Sequence, residues 1–239
     1  MQISSYVALL GLVCVNVSAQ EAQQPMPFVG YTMTFTGRVM GVDCTEWRLA
    51  EIKDNRDIIS TCGDYRLEIS GADDMNARKV VGADGKSVIE FKPYAPSLRF
   101  PLAVGTHWRS PYVAYTAYNG LVWDGEAQCE SKAYEEITVQ AGNFQAFRIE
   151  CRDKWQLGPS LGYTHSTYWY APEVAGVVKL EHREDPMRWN FELVSFGLAE
   201  NTAATSTVVA PTPQPKPLPP SIESAGESGL PPILDPEDY

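Results

Sequence analysis

The run Tyr163-Thr164-His165-Ser166-Thr167-Tyr168-Trp169-Tyr170 gathers a histidine, a hydroxyl nucleophile and four aromatic rings into eight residues. Two chemistries could use such a set. Nucleophilic catalysis would need a serine with its base in hydrogen-bond reach and an oxyanion site. His165 and Ser166 are chain neighbours, and on an extended chain neighbours point to opposite faces. There is also no GxSxG elbow, so these two do not make a hydrolase. The other chemistry is stacking. On a strand, Tyr163, His165, Thr167 and Trp169 share one face, while Thr164, Ser166, Tyr168 and Tyr170 share the other. If the first row is inside, it is a core with a hydrogen-bonded histidine. If it lines a groove, it can stack against a glycan ring or a lipid. Trp108, His165, Tyr168 and Trp169 are therefore the candidate ligand-binding residues, and no residue is assigned as catalytic.

The remaining reactive types form no recognised motif. Glu135, Glu136 and Glu150 could meet across a hairpin, but a glycosidase needs two carboxyls facing one cleft at about 5–5.5 or 6.5–9.5 Å. Gly82-Ala83-Asp84-Gly85-Lys86 lacks the spacing and the strand-to-helix setting of a phosphate loop, and a hairpin turn explains it. There is no CxxC, and His107, His165 and His182 have no liganding spacing, so no metal and no cofactor is expected.

The first nineteen residues carry no charge. Their apolar run, Tyr6 to Val17, is shorter than the roughly 20 residues that span a bilayer. Val17-Ser18-Ala19 fits a signal-peptidase site, so residues 1–19 read as a signal peptide and the mature protein as periplasmic or secreted. Cys14 would suit a lipid anchor, but Val13 before it is bulkier than the residue usual there. Cys44, Cys62, Cys129 and Cys151 remain, an even number in an oxidising compartment, which implies disulfides. Three pairings are open. Cys44 with Cys62 and Cys129 with Cys151 are favoured, because each pair flanks a local hairpin. If Val139 faces Phe144 across a turn at Gln140 to Asn143, Cys151 falls opposite Lys132, and a bulge or longer loop must absorb the offset.

The chain carries a net charge of −11 at pH 7, and residues 200–239 hold six acids against Lys216. No Lys/Arg cluster marks a basic face, which argues against a nucleic-acid partner. Nine of the eighteen prolines lie between Pro211 and Pro236. Such a stretch cannot bury enough apolar surface to offset its ordering entropy. Residues 200–239 are therefore expected to be a disordered, acidic, Pro-rich tail. Its polyproline II segment from Pro211 to Pro220 serves as a spacer or a docking peptide for a protein partner. Residues 20–28 read as a flexible N-terminal segment.

Residues 29–199 are long enough for one core. Gly30 to Gly37, Trp47 to Ile52 and Tyr65 to Ile69 alternate at period two, the strand signal. Polar or Gly-rich reversals sit at Lys53 to Arg56, Gly82 to Gly85 and Asn119-Gly120. Tyr163 to Tyr170, Val177 to His182 and Trp189 to Phe196 continue the pattern. The best helix candidate, Ser131 to Ile137, has weak amphipathicity and runs into a β-branched segment. The expectation is an all-β domain, an antiparallel curved sheet or sandwich-like, without βαβ units.

Phe100-Pro101-Leu102 with Gly105 and Trp108, the hairpin Val139 to Ala146, Tyr168-Trp169-Tyr170-Ala171-Pro172-Glu173-Val174-Ala175-Gly176 and Glu192 to Phe196 together resemble a family of uncharacterised bacterial exported proteins and lipoproteins, over roughly residues 98 to 196. The shared hairpin motif is V-x-A-G-x-F-x-A-F. This chain departs from it at Gln140, commonly proline, and Asn143, commonly threonine, which affects turn stiffness and no reactive group. The resemblance implies a β-rich envelope domain and brings no catalytic residue. The expected function is a non-enzymatic exported binding or scaffold module with an apolar or glycan ligand. The alternative is a secreted hydrolase acting on an envelope glycan or lipid.

Overall fold

Strands of period-two alternation account for nearly every element of the computed structural model, which describes residues 20–117, 119–184 and 187–198. They are β1 (Glu21–Ala22), β2 (Tyr31–Gly37), β3 (Glu46–Ile52), β4 (Ile58–Cys62), β5 (Tyr65–Ser70), β6 (Asn76–Val81), β7 (Ser87–Lys92), β8 (Leu102–Ala103), β9 (His107–Tyr115), β10 (Val122–Val139), β11 (Gly142–Leu157), β12 (Ser160–Ala171), β13 (Gly176–Glu184) and β14 (Met187–Leu198). The expectations for residues 1–19 and 200–239 lie outside the described residues.

The expected open curved sheet or sandwich is overturned. β10 to β14 continue into β2 to β7 and then β9, which returns to β10, so twelve antiparallel strands close into one barrel. Closure rests on β14 meeting β2, with Leu193 opposite Phe35 and Phe196 opposite Met33. Local alternation could not show this, because an inward row reads the same in a sandwich, an open sheet and a barrel. The deciding pairing joins residues as distant as Thr36 and Glu192, 156 apart in sequence. Closure leaves no unpaired edge on the main sheet. Within residues 20–28, set down as flexible, Glu21 and Ala22 pair with Ala103 and Leu102, and Ala22 is buried.

The helix candidate Ser131 to Ile137 lies inside β10. Its weak helical pattern is a strand interrupted by one extra residue, Lys132, where the β10–β11 register shifts between Ser131 and Ala133. The turn is tighter than expected from sequence, since Val139 pairs with Gly142 and only Gln140 and Ala141 lie between. The tight turn and the bulge together bring Cys129 opposite Cys151, and the disulfide forms there with a Cα separation of 4.1 Å. Cys44 joins Cys62 at the end of β4, with a Cα separation of 6.0 Å. Both pairings are the ones favoured from the hairpins.

One core gathers Phe35, Leu67, Val80, Phe144, Val178 and Leu193. A second holds Leu98, Leu102, Trp108, Phe147, Ile149 and Tyr170. The connection between β7 and β8 folds over the second core and is fastened by the buried Asn76. The Asn76 amide Nδ2 donates to the carbonyls of Asp73 and Leu98, and its Oδ1 accepts from the amides of Ser97 and Leu98 at 3.0 and 2.8 Å. On β11 the inward residues are Phe147, Ile149 and Cys151, all buried, whereas Arg148, Glu150, Arg152 and Lys154 take the alternate positions on the outer wall. Among the described residues no helix is long and apolar enough to cross a membrane.

Candidate ligand cavity

Three cross-strand rows on the inner face of β9 to β14 build the site. In the first, Tyr112, Gly125, Trp155 and Gly162 stand opposite one another across four strands. The glycines are required there, because a Cβ on Gly125 would lie 2.2 Å from the Tyr112 ring and one on Gly162 would lie 2.0 Å from the Trp155 ring. Each aromatic ring therefore lies flat across a neighbour that has no side chain. The second row sets Asp153 between Ala127 and Thr164. The third runs Trp108, Cys129, Cys151, Ser166, His182 and Trp189.

A cavity of about 460 Å³ opens among these rows, within the range of small-molecule sites. Ile89, Phe91, Trp123, Trp155, Leu157 and Trp189 give it an apolar wall. Ala95 and Pro96, from the connection held by Asn76, also line it. Its polar groups include Asp153, Glu184, Tyr112, Tyr168, Ser166 and His182, with Thr116, Asn119 and Thr164 also in the lining.

Asp153 is the central one. The Tyr112 hydroxyl donates to Asp153 Oδ2 at 3.4 Å, while Oδ1 is buried with no hydrogen-bond partner among the described residues. Burial, against the Tyr112 hydrogen bond and together with the charge of Glu184, pushes the Asp153 carboxyl up to about 6. Burial also raises Glu184. The Trp155 indole approaches Glu184 closely enough to hold that carboxyl down in part, yet its Nε1 is buried without a well-formed hydrogen bond. Burial and the Asp153 charge push the Tyr168 phenol up to about 12, and the same two causes raise Tyr112. His182 stacks on Trp189 with ring centroids 4.4 Å apart, lies 3.0 Å from Ser166 Oγ through Nδ1, and is pushed down by burial to about 4. No lysine or arginine is among the described residues lining the cavity.

Of the four residues singled out from sequence, Tyr168 alone lines this space. The inward row of β12 is Thr164, Ser166, Tyr168 and Tyr170. His165 is exposed on the outer wall, in a hollow with Thr167, Glu181 and Arg183. Trp169 is also outside, where its indole donates to Glu135 Oε1 at 3.1 Å and Lys179 Nζ stands 5.2 Å from its ring centre. Trp108 is buried opposite Cys129, and its indole donates to the Pro96 carbonyl at 3.4 Å. Glu135 and Glu150 do approach each other, but both pair with Arg148 on the outer wall. Asp153, Glu184 and the pair Ser166 and His182 were missed. For Asp153 the signal was present: it continues the inward series Phe147, Ile149, Cys151, so it is an acid in an apolar register.

No family model matches the sequence, and no curated protein is significantly similar to it. Three solved structures are among those similar to this chain. A candidate lipoprotein from Parabacteroides distasonis is 12% identical, with 74% of this chain and 97% of that one covered and a TM-score of 0.44. A candidate exported protein with a YmcC-like fold from Bacteroides fragilis is 12% identical, with 74% and 99% covered and a TM-score of 0.41. The hypothetical lipoprotein YmcC from Escherichia coli is 11% identical, with 72% and 86% covered and a TM-score of 0.48. No family model carries the V-x-A-G-x-F-x-A-F wording.

Proposed function

We propose that this is a non-enzymatic, exported binding module, periplasmic or secreted, that holds a small, largely apolar ligand inside its barrel. The observation that carries the reading is the cavity of about 460 Å³, walled by Phe91, Trp123, Trp155 and Leu157 and furnished with a few convergent polar groups. That balance favours an apolar body over a glycan, whose hydroxyls would need many more partners. Native mass spectrometry of the gently purified protein tests it. A retained small molecule, released on denaturation, is the expected result. An empty protein whose tryptophan fluorescence also ignores added amphiphiles would defeat the reading.

One arrangement favours the hydrolase alternative. Ser166 Oγ is 3.0 Å from His182 Nδ1, and His182 Nε2 is 4.0 Å from Glu184 Oε2, the order of nucleophile, base and acid. Two features oppose it. A histidine held near 4 is a poor base at neutral pH. Ser166 also sits mid-strand between Cys151 and His182, where the backbone amides serve the ladders rather than an oxyanion. Ester hydrolysis lost in Ser166→Ala but retained in Trp189→Phe would revive it.

A further inference from the structure

The cavity contains two carboxyl groups, Asp153 and Glu184, close enough that the charge of Glu184 adds to the rise of Asp153. An ionised carboxylate taken out of water costs several kcal/mol unless a cation or a full set of donors compensates it. Asp153 receives one long hydrogen bond, from Tyr112, and its Oδ1 receives none. The other groups facing it do not supply a charge. On β9 and β12 they are the phenols of Tyr112 and Tyr168, both pushed toward the neutral form. On β13 they are Glu184, a second acid, and His182, which burial keeps neutral.

Around the same point stands an aromatic wall. Tyr112 meets Phe91 edge to face at 5.7 Å, and Trp123, Trp155 and Trp189 complete the lining. Aromatic rings flanking carboxylates, with no fixed cation, make the surroundings in which an ammonium group is better placed than in an apolar pocket alone. The rings attract it through their quadrupoles, and the acids attract it through charge-assisted hydrogen bonds. A carboxylate ligand would meet like charge, and an alcohol could donate to a carboxyl without offsetting its charge.

We infer that the ligand is an amphipathic amine, its apolar body against Phe91, Trp123 and Leu157 and its ammonium donating to the Asp153 carboxyl with Glu184 as the second carboxylate. This rests on the binding reading above and adds the chemical class of the ligand. The under-partnered Asp153 carboxyl in the cavity lining, the second acid Glu184 and the aromatic wall each point to the same group.

Three probes with one common tail separate the inference from its foundation: n-octylammonium, n-octanol and n-octanoate, titrated calorimetrically at neutral pH. Octylammonium is expected to bind about tenfold or more tighter than octanol, and octanoate to bind weakest. In Asp153→Asn the ammonium preference should fall to within about threefold of octanol, and a cooperative thermal melt shows that the variant is folded. Glu184→Gln should reduce the preference in part. If octanol or octanoate binds wild type as tightly as octylammonium, the amine assignment is wrong and the binding cavity stands. If none of the three binds, both the assignment and the cavity reading fail.

Discussion

Cys129 faces Cys151 across the long β10–β11 hairpin because Lys132 is one residue more than the ladder can pair. From the turn as far as Ala133 opposite Arg148, the register would set Cys151 against Glu130, on the wrong phase of the strand. The bulge moves the register by one and restores the match, a case of an inserted residue re-aiming a side chain. Cys151 then forms part of the cavity wall.

Replacing Cys129 and Cys151 together by alanine should therefore cost about 2–4 kcal/mol and lower Tm by at least about 5 °C. Non-reducing peptide mapping of the wild type should return Cys129 linked to Cys151 and Cys44 linked to Cys62. A peptide joining Cys44 to Cys129 would contradict the register just described.

Two buried polar side chains should behave in opposite ways. Asn76 makes hydrogen bonds through both ends of its amide, and Asn76→Ala leaves the Leu98 amide and carbonyl without their partners. That change should cost about 2–4 kcal/mol in a denaturant titration. Ser131 is equally buried, yet its hydroxyl has no partner among the described residues. Ser131→Ala should lie between no change and a gain of about 1 kcal/mol. Equal losses in the two variants would show that burial, rather than hydrogen-bond satisfaction, governs these positions.

The strands and their turns were legible because each needs only local alternation and a reversal. Lys53 to Arg56 and Gly82 to Gly85 fall where the polar residues put them, between β3 and β4 and between β6 and β7. The barrel was not legible, since pairing of β14 with β2 is a long-range choice that period-two patterns do not encode. The site was only half legible for a related reason. Alternation correctly separated Tyr168 from His165 and Trp169, but it could not say which row faces inward. That depended on the partner rows, in particular the Gly125 and Gly162 positions that let the Tyr112 and Trp155 rings lie across them. The His182 and Ser166 contact, 16 residues apart, likewise needs the β12–β13 register.

Acid stability should show two opposed contributions from the cavity. Asp153 titrates at about 6 in the fold against an ordinary 3.8, so between those values the folded protein holds a proton that the unfolded chain has released. Stability from this group therefore falls as pH rises through the window. After allowing for water at the cavity mouth, the loss is on the order of 2 kcal/mol, complete above pH 6. Glu184 acts in the same direction. His182 does the reverse, because burial lowers it from 6.5 to about 4, so the unfolded chain takes up a proton that the fold refuses and stability falls as pH drops through that range. In thermal melts, Asp153→Asn should exceed wild type at neutral pH and converge with it near pH 4. His182→Gln should gain on wild type as the pH falls. A shift for Asp153→Asn of equal size at both ends of the range would sink this account.

Gly125 and Gly162 should be far more sensitive to a single methyl group than a strand-end glycine with room around it and an ordinary φ. In Gly125→Ala the new Cβ would sit 2.2 Å from the Tyr112 ring, so the ring must swing away and carry its hydroxyl off Asp153 Oδ2. Gly162→Ala displaces the Trp155 ring in the same manner, from 2.0 Å. Both rings line the cavity, so a displaced ring changes its shape. Each substitution should then cost about 1–3 kcal/mol through overpacking and reduce binding of n-octanol, the uncharged probe. Gly82→Ala is the matched control, since its Cβ would meet nothing nearer than 3.6 Å and should change stability by no more than about 0.5 kcal/mol. If Gly125→Ala and Gly162→Ala match that control in both stability and octanol affinity, the aromatic rings do not depend on the glycines and the cavity is not shaped by them.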